Sequence, residues 1–188
     1  MKNVVLLAFV SSLLLLVAVS ELPTPVVANP PEIVVPDDYE KIQWAIGNAS
    51  DGDTIFVKAG TYHEHVVIDK TLTLIGENKN TTVISGLGYE KLYGESPFWG
   101  LVSIAASNVV VSGFTIRDFG IGVFTRYSSH CNITGNMIAN HEYGIDLRHS
   151  ENNFIGNNTI SGCNVYGITI SENSRNNILR NNNLTGNR

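Results

Sequence analysis

The sequence predicts an all-β protein, a right-handed parallel β-helix of roughly 22-residue coils behind one short helix. Two observations carry this prediction. The second half of the chain repeats itself with a period in the low twenties, and apolar residues alternate with polar ones inside each repeat. The composition agrees, since 21 of the 188 residues are asparagine and 17 are glycine. Both residue types are typical of tight turns between short strands.

Residues 1–20 have the features of a signal peptide: Lys2, an apolar run, and the small residues Ala18-Val19-Ser20 where a signal peptidase would cleave. An uncleaved N-terminal anchor is the alternative interpretation. Residues 21–36 contain five prolines and predict an extended spacer, so that the β-helix domain would occupy residues 37–188. We therefore expect a secreted, cell-surface or periplasmic protein with no integral membrane domain after cleavage.

A short amphipathic helix is predicted directly after the spacer, where it would cap the N-terminal end of the β-helix. Asp37 and Glu40 have the spacing of a capping box. The apolar residues that follow have helical spacing: Ile42, Ala45, Ile46 and Ala49. Beyond them the period changes to two, as at Ile55 and Val57, which indicates short strands.

The repeats align in columns that define the coils. One column is Val111, Ile133, Ile155 and Leu179; a second is Ile116, Ile138, Ile160 and Leu184; a third is Gly122-Val123, Gly144-Ile145 and Gly167-Ile168. Leucine-rich repeats do not fit, because the columns are mostly Ile and Val and no segment has helical spacing. Three short strands per coil do fit, each pairing in parallel with the next coil. Asn136, Asn158 and Asn182 form a further column, predicted to be a structural asparagine ladder.

The last coil stops before the segment equivalent to residues 167–170, so we expect the β-helix domain to be truncated at its C-terminal end. Further coils or a partner chain would then cover the exposed edge, because solenoids normally need capping units. A polar last coil that frays is the alternative.

The residues from 42 to 86 carry a family resemblance: IQWAIGNASDGDTIFVKAGTYHEHVVIDKTLTLIGENKNTTVISG. This stretch resembles the opening coils of the pectin-methylesterase and pectate-lyase-like β-helix superfamily. The coils after Ser107 resemble carbohydrate-binding and sugar-hydrolase β-helix repeats, closest in style to NosD-type accessory proteins. The resemblance covers about residues 38–188 and implies the fold; it leaves the activity open because one fold hosts many functions.

The resemblance does not extend to the catalytic segments of these enzymes. Pectin methylesterases carry their acidic residues in GYQDTLY-like and DFIFG-like segments, and neither segment occurs in this chain. No acidic calcium cluster of the pectate-lyase type is evident either. By its place in the first-coil motif, Glu64 is expected to be a structural or capping residue.

The repeat register predicts one mixed aromatic and charged outer surface. Asp146 lies between Ile145 and Leu147 and should therefore point outward. The whole predicted set is Phe124, Arg126, Tyr127, Asp146, Arg148, His149 and Glu172. Such a surface can hold sugars, and the stacked arginines favour a uronate ligand. The alternative is a solvated face with ion pairs such as Arg148 with Glu172, and any catalytic role would fall to Asp146, Glu172 or His149.

We expect no nucleic-acid partner, because 12 basic and 17 acidic residues give a net charge of −5. We also expect no cofactor, with calcium or copper as alternatives. His63 and His65 would share one face of a strand, but the other soft or nitrogen ligands are scattered around the coil. Cys131 and Cys163 fall at different points of the coil, and their pairing is left open. Five glycosylation sequons occur, at Asn48, Asn80, Asn132, Asn157 and Asn183.

The leading functional hypothesis is an exported, non-catalytic β-helix module that binds polysaccharide or serves as a cell-surface or envelope scaffold. The first alternative is a carbohydrate-active lyase, hydrolase or epimerase. The second is an NosD-type accessory role in the maturation of an envelope copper enzyme.

Overall fold

The computed structural model describes residues 32–88 and 100–188 and confirms the predicted right-handed parallel β-helix. The signal peptide predicted at residues 1–20 lies outside the described residues, as does the spacer up to residue 31. Within the described ranges, no helix has the length and apolar character needed to cross a bilayer.

Sixteen strands and one helix build the described part of the chain. In chain order they are β1 (Glu32–Val35), α1 (Ile42–Asn48), β2 (Thr54–Val57), β3 (Gly60–Tyr62), β4 (Val66–Ile68), β5 (Thr73–Gly76), β6 (Thr82–Ser85), β7 (Gly100–Ile104), β8 (Val110–Ser112), β9 (Thr115–Arg126), β10 (Asn132–Thr134), β11 (Met137–Arg148), β12 (Phe154–Gly156), β13 (Thr159–Ser161), β14 (Tyr166–Ser171), β15 (Ile178–Arg180) and β16 (Asn183–Thr185).

The strands form three faces around a common core. Face 1 is the parallel sheet β1-β2-β5-β8-β10-β12-β15. Strands β9 and β11 are each 12 residues long and bend at Asp118 and Asn140, which both have positive φ. Their first parts join β3, β6, β13 and β16 in face 2, and their last parts join β4, β7 and β14 in face 3. Each coil thus contributes one strand segment to each face, as the sequence predicted.

The predicted columns are the observed registers. Ile133 pairs with Val111 on one side and with Ile155 on the other, and all three side chains are fully buried. The glycine of the third column is required by close packing: a Cβ on Gly144 would lie 2.5 Å from the carbonyl oxygen of Gly167. The core is therefore a stack of like residues along the solenoid axis.

Helix α1 caps the N-terminal end as expected, but the capping box does not form. The helix begins at Ile42, after the predicted cap residues, and Lys41 at the N-cap makes no side-chain bond. The carboxylate of Glu64 caps it instead, accepting the backbone N–H groups of Ile42 at 3.1 Å and Gln43 at 3.0 Å. Glu64 is therefore the capping residue that its position in the first-coil motif indicated.

The β-helix begins earlier than residue 37. Strand β1 lies inside the predicted spacer, yet it pairs in parallel with β2 from Glu32↔Thr54 to Val35↔Val57. The prediction failed because Pro36 directly follows this strand and the proline content of the segment concealed its alternating apolar residues. The boundary of the domain is corrected accordingly.

The asparagine ladder is present at the corner between faces 1 and 2. The Nδ2 of Asn158 donates to the carbonyl oxygen of Ile133 at 2.8 Å, and its Oδ1 accepts the backbone N–H of Asn136 at 3.0 Å. The Oδ1 of Asn182 in turn accepts the N–H of Asn158 at 3.1 Å. The amide of Asn158 thus satisfies two backbone groups of the preceding coil.

At two more corners, side-chain amides bond to the backbone in the same way. Asn153 and Asn177 form a second ladder before face 1, where Asn177 Oδ1 accepts the N–H of Asn153 at 3.0 Å. At the corner between faces 2 and 3, Asn187 donates to the carbonyl oxygen of Ile160 at 2.8 Å. His141 occupies the equivalent place two coils earlier, with Nε2 3.1 Å from the carbonyl oxygen of Ile116.

Both cysteines are free and buried. The N–H of Cys131 bonds to Asn153, whereas that of Cys163 bonds to Asn187, so the two thiols stand at different corners. Leu179 and Leu184 of the last coil continue the two apolar columns and are exposed. The expectation that further coils or a partner chain cover them stays a prediction.

Replacing Asn158 by Ala should destabilise the fold by several kcal/mol, because it leaves two backbone groups of the preceding coil without partners, at about 1–3 kcal/mol each. Chemical denaturation would measure the loss. Asn132→Ala is the matched control, since Asn132 is exposed in the neighbouring strand. Equal stability of the two variants would contradict a structural ladder.

Acidification should destabilise the fold through His141. Burial lowers the pKa of this fully buried histidine, and this outweighs the opposing effects of two backbone carbonyls and Asp118. Burial likewise lowers the pKa of His65. Below about pH 6.5 the unfolded chain therefore binds more protons than the folded one, and stability falls by up to about 1.4 kcal/mol per pH unit for each histidine.

His141→Asn should weaken this acid sensitivity, because asparagine makes the same corner contact at position 187. Unfolding midpoints measured from pH 8 to pH 5 would show a shallower decline for this variant. The exposed His63 provides the control substitution, His63→Asn. An unchanged pH profile for His141→Asn would refute the assignment.

Candidate functional site

The seven residues predicted to share a surface do lie in adjacent positions at one edge of face 3. Asp146 pairs with Phe124 on one side and Thr169 on the other, and Arg148 pairs with Arg126 and Ser171. Tyr127, His149 and Glu172 follow at the next position of three successive coils. Strands β9, β11 and β14 position the set, because their parallel register stacks equivalent residues.

Two of the seven are not exposed, contrary to the expectation of an open outer face. Asp146 is 0% exposed and Phe124 is 1% exposed. Arg148 folds back across both: its guanidinium carbon lies 5.6 Å from the centre of the Phe124 ring. Its Nε and Nη2 donate to Asp146 Oδ2 at 2.9 and 2.8 Å. Strand alternation predicted the direction of these side chains correctly but could not predict that Arg148 would fold over them.

Burial raises the pKa of Asp146, although the hydrogen bond and the charge of Arg148 oppose the shift. Its second oxygen, Oδ1, is buried and has no hydrogen-bond partner among the described residues. Asp146 therefore serves to hold Arg148 in place and is out of contact with solvent.

The exposed part of the surface is an aromatic stack. Tyr127 is 66% exposed, and its ring lies parallel to that of His149, with centroids 4.8 Å apart and 13° between the planes. The guanidinium carbon of Arg126 lies 5.2 Å from the centre of the Tyr127 ring. The exposed Tyr127 ring thus contacts an imidazole by stacking and a guanidinium by a cation–π contact.

Glu172 holds the base of this stack. Its Oε2 lies 3.1 Å from His149 Nε2, and its Oε1 lies 3.6 Å from Arg148 Nη1. The ion pair of Arg148 with Glu172, anticipated as the alternative to a binding role, is therefore present. This ion pair lies beside the exposed stack and fixes its orientation. A face with ion pairs and a face that binds sugar are therefore compatible interpretations.

A polar groove adjoins the stack. It is lined by Tyr127, Ser128, Ser129, His149, Glu151 and Asn152. A parallel bridge between Ser129 and Glu151 forms its floor. Hydroxyl, carboxylate and amide groups thus lie next to an exposed ring, which is the combination that binds sugar hydroxyls and sugar C–H faces.

The backbone at the stack is unusual for its residue types. Tyr127, His149 and Glu172 have φ values of 53°, 47° and 53°, the left-handed region. The other left-handed corner columns hold mostly Asn, Asp and Gly: Asn108, His130, Asn152 and Asn176; Gly113, Gly135, Asn157 and Asn181; Asp118, Asn140, Gly162 and Gly186. Asparagine and glycine tolerate this conformation best. A bulky aromatic residue held in it is an outlier of the kind that clusters at functional sites.

A second aromatic pair on face 3 was missed in the sequence. Tyr143 pairs with Tyr166 in register, with ring centroids 6.1 Å apart. Both directly precede the glycines of the third column, so the repeat itself carried the signal. The polar groove residues Ser129, Glu151 and Asn152 were missed because they lie in turns between strands.

The two histidines that were expected to share one face of a strand, as weak candidates for metal binding, do not lie on a strand. His63 and His65 lie between β3 and β4 and not on a strand, because the chain turns there to bring Glu64 to the helix. His65 stacks on Phe119, with centroids 6.4 Å apart.

The other soft and nitrogen ligands do not converge either. Both ring nitrogens of His141 lie within hydrogen-bonding distance of backbone carbonyls, and the two cysteines stand at different corners. In the part of the chain that the structure describes, no group of three His, Cys, Asp or Glu residues could hold a metal ion.

Comparison with known proteins places the chain in a family. Residues 46–188 match the family model described as periplasmic copper-binding protein, NosD. A cell surface glycoprotein of Methanothermus fervidus is 33% identical over 104 residues, which cover 54% of this chain and 16% of that relative. The match thus spans less than a fifth of the relative's length.

Solved structures with the same fold are pectin methylesterases. PemA from Erwinia chrysanthemi has a TM-score of 0.54 at 18% identity, covering 70% of this chain and 48% of its own. A pectin methylesterase mutant in complex with a hexasaccharide has a TM-score of 0.55 at 15% identity, covering 80% and 66%. At these identities the likeness shows the fold alone. The family and the surface glycoprotein agree on an exported protein, and the chain belongs to the NosD family of β-helix proteins.

Proposed function

We propose that this chain is a non-catalytic module of the cell surface that binds polysaccharide at the Tyr127–His149 stack and the groove beside it. The observation that carries the proposal is the exposed Tyr127 ring, held flat on His149 at 4.8 Å. An aromatic ring is costly to leave in water, and this one is fixed in a left-handed backbone conformation. A sugar ring placed on it would bury apolar C–H groups against the aromatic face.

The charged neighbours favour an acidic polymer. Arg126 and Arg148 are adjacent in register, and Arg148 already binds Asp146 and Glu172. Arg126 forms no ion pair with a described residue, and its Nε has no hydrogen-bond partner there. A uronate carboxylate would neutralise this guanidinium with a charge-assisted hydrogen bond.

The arrangement of carboxylates supports binding over catalysis. Glycoside hydrolysis needs two carboxyl groups that both reach the substrate. Of the two candidates here, Asp146 is sealed under Arg148, and only Glu172 is exposed. His149, the third candidate, is occupied by Tyr127 and Glu172.

The copper named in the family description does not fit the described residues. Soft thiolate and imidazole ligands suit copper, but His141, Cys131 and Cys163 each bond to the backbone of their own corner. We therefore assign no step to copper. The relative's printed name, a cell surface glycoprotein, supports a surface location, and the hexasaccharide bound by a structural neighbour shows that this fold can carry sugars.

Tyr127→Ala should lower the affinity for polysaccharide about tenfold, since an aromatic stack is worth about 0.5–1.5 kcal/mol beyond its buried area. Affinity electrophoresis against polygalacturonate, alginate and neutral glucans would measure the change. Arg126→Ala should weaken only the acidic polymers, and more so at low salt.

Trp44→Ala is the matched control, because Trp44 is also exposed, at 51%, and also contacts a cation, Lys41. It lies on α1, which caps the N-terminal end of the β-helix, and should leave binding intact. Equal retardation of the Tyr127 and Trp44 variants, or no retardation of the parent chain by any polymer, would overturn the proposal.

A further inference from the structure

The asparagines of the five sequons are all exposed to solvent: Asn48, Asn80, Asn132, Asn157 and Asn183. None of the six ladder and corner amides is the acceptor asparagine of a sequon, although Asn158 is the middle residue of the Asn157 sequon: Asn136, Asn153, Asn158, Asn177, Asn182 and Asn187. The register explains the separation. Two residues after a ladder asparagine the chain returns to the core, as at Ile138 and Ile160, so no Ser or Thr can stand there.

Three of the sequons have the geometry of an acceptor in the folded coils. Asn132 and Asn183 begin β10 and β16, and Asn157 lies in the turn before β13. Their side-chain amides make no hydrogen bond to another described residue. The hydroxyl residues two positions later, Thr134, Thr159 and Thr185, are half-buried or exposed.

The other two sequons are less suited. The Nδ2 of Asn48 already donates to the carbonyl oxygen of Trp44 at 2.9 Å. The threonine of the Asn80 sequon, Thr82, is fully buried, and its hydroxyl accepts the N–H of Asn78 at 3.2 Å. These two sites differ from the first three in a way that a mapping experiment can detect.

The sequons are also unevenly distributed among the faces. Asn132 is on face 1, Asn183 is on face 2, and Asn157 is at the corner between them. Asn80 precedes the face 2 strand β6, and Asn48 ends the helix. In the described ranges, the strands of face 3, which carry Tyr127 at their edge, contain no sequon.

We propose that Asn132, Asn157 and Asn183 carry N-linked glycans, which coat faces 1 and 2 and leave face 3 bare for its ligand. The first half of the proposal, that the three asparagines are glycosylated, is independent of the proposed function. The second half, that face 3 stays bare for its ligand, rests on the proposed function. In each transfer, the asparagine Nδ2 forms a bond to the anomeric carbon of the glycan. The bond from that carbon to the oxygen of a phosphorylated lipid carrier breaks, and the displaced proton leaves with the carrier phosphate.

Peptide mapping by mass spectrometry of the full chain, isolated from the cells that produce it, tests the first half. Fragmentation that localises the modification should place a glycan mass on Asn132, Asn157 and Asn183 and none on Asn136, Asn158 and Asn182 of the same peptides. Thr134→Ala, Thr159→Ala and Thr185→Ala should each abolish the modification at its own asparagine alone. Unmodified peptides at all three sites would overturn it.

A single substitution tests the second half, since Arg175→Thr completes a sequon with Asn173 and Ser174. Asn173 is exposed and directly follows Glu172 at the stack. A glycan at this site should reduce polysaccharide binding at least tenfold by covering the edge of face 3. Arg175→Ala removes the same side chain without creating a sequon and should bind as the parent chain does.

The outcomes separate the two proposals. Full binding by the chain glycosylated at Asn173 would show that face 3 need not be bare, and would overturn the second half. Absence of binding by the parent chain would refute the proposed function and the second half together. The glycan map at Asn132, Asn157 and Asn183 tests the first half independently of both binding results.

Discussion

The stacking of one coil's corner amide on the next coil is the interaction on which the rest of the structure depends. Strand pairing satisfies the backbone within each face, but at every corner the chain leaves the sheet and its N–H and C=O groups lose their partners. Asn158 shows the solution, because one amide accepts an N–H from the preceding coil and donates to a carbonyl there. The backbone N–H of Asn158 in turn donates to the side-chain oxygen of Asn182 in the next coil.

This constraint fixes the register between successive coils and therefore everything that is stacked on it. An insertion that shifted Asn158 against Asn136 would also shift Ile155 against Ile133, exposing the core face of the strand. The surface on face 3 is subject to the same register. Tyr127 meets His149, and His149 meets Glu172, only because each stands one coil from the next. The proposed binding surface is thus built by the repeat and differs from the other corners only in its residue types.

The features that could be predicted from the sequence are those that recur in it. The apolar columns, the ladder at Asn136 and the adjacency of Arg126 and Arg148 all repeat at one coil spacing, and the structure has them in those registers. The features that could not be predicted are single contacts. Glu64 reaches the helix from 22 residues away, which no local capping rule anticipates. Arg148 bonds to Asp146 two residues away, and His65 lies between two strands and beside Glu64, which bonds to the helix.

Asparagine takes three roles in this chain, and its place in the coil decides which. At an inward-facing corner it joins the ladder, as Asn158 does; at a left-handed corner, such as Asn140, it relieves backbone strain. In an outward position two residues before a threonine, as at Asn132, it is the first residue of a sequon.

An amide is uncharged at every physiological pH, so the ladders hold the coils together independently of acidity and salt. His141 stands at a corner position where Asn187 places an amide two coils later, and burial lowers its pKa. One source of acid sensitivity in this solenoid is therefore the corner where a histidine, rather than an amide, joins faces 2 and 3.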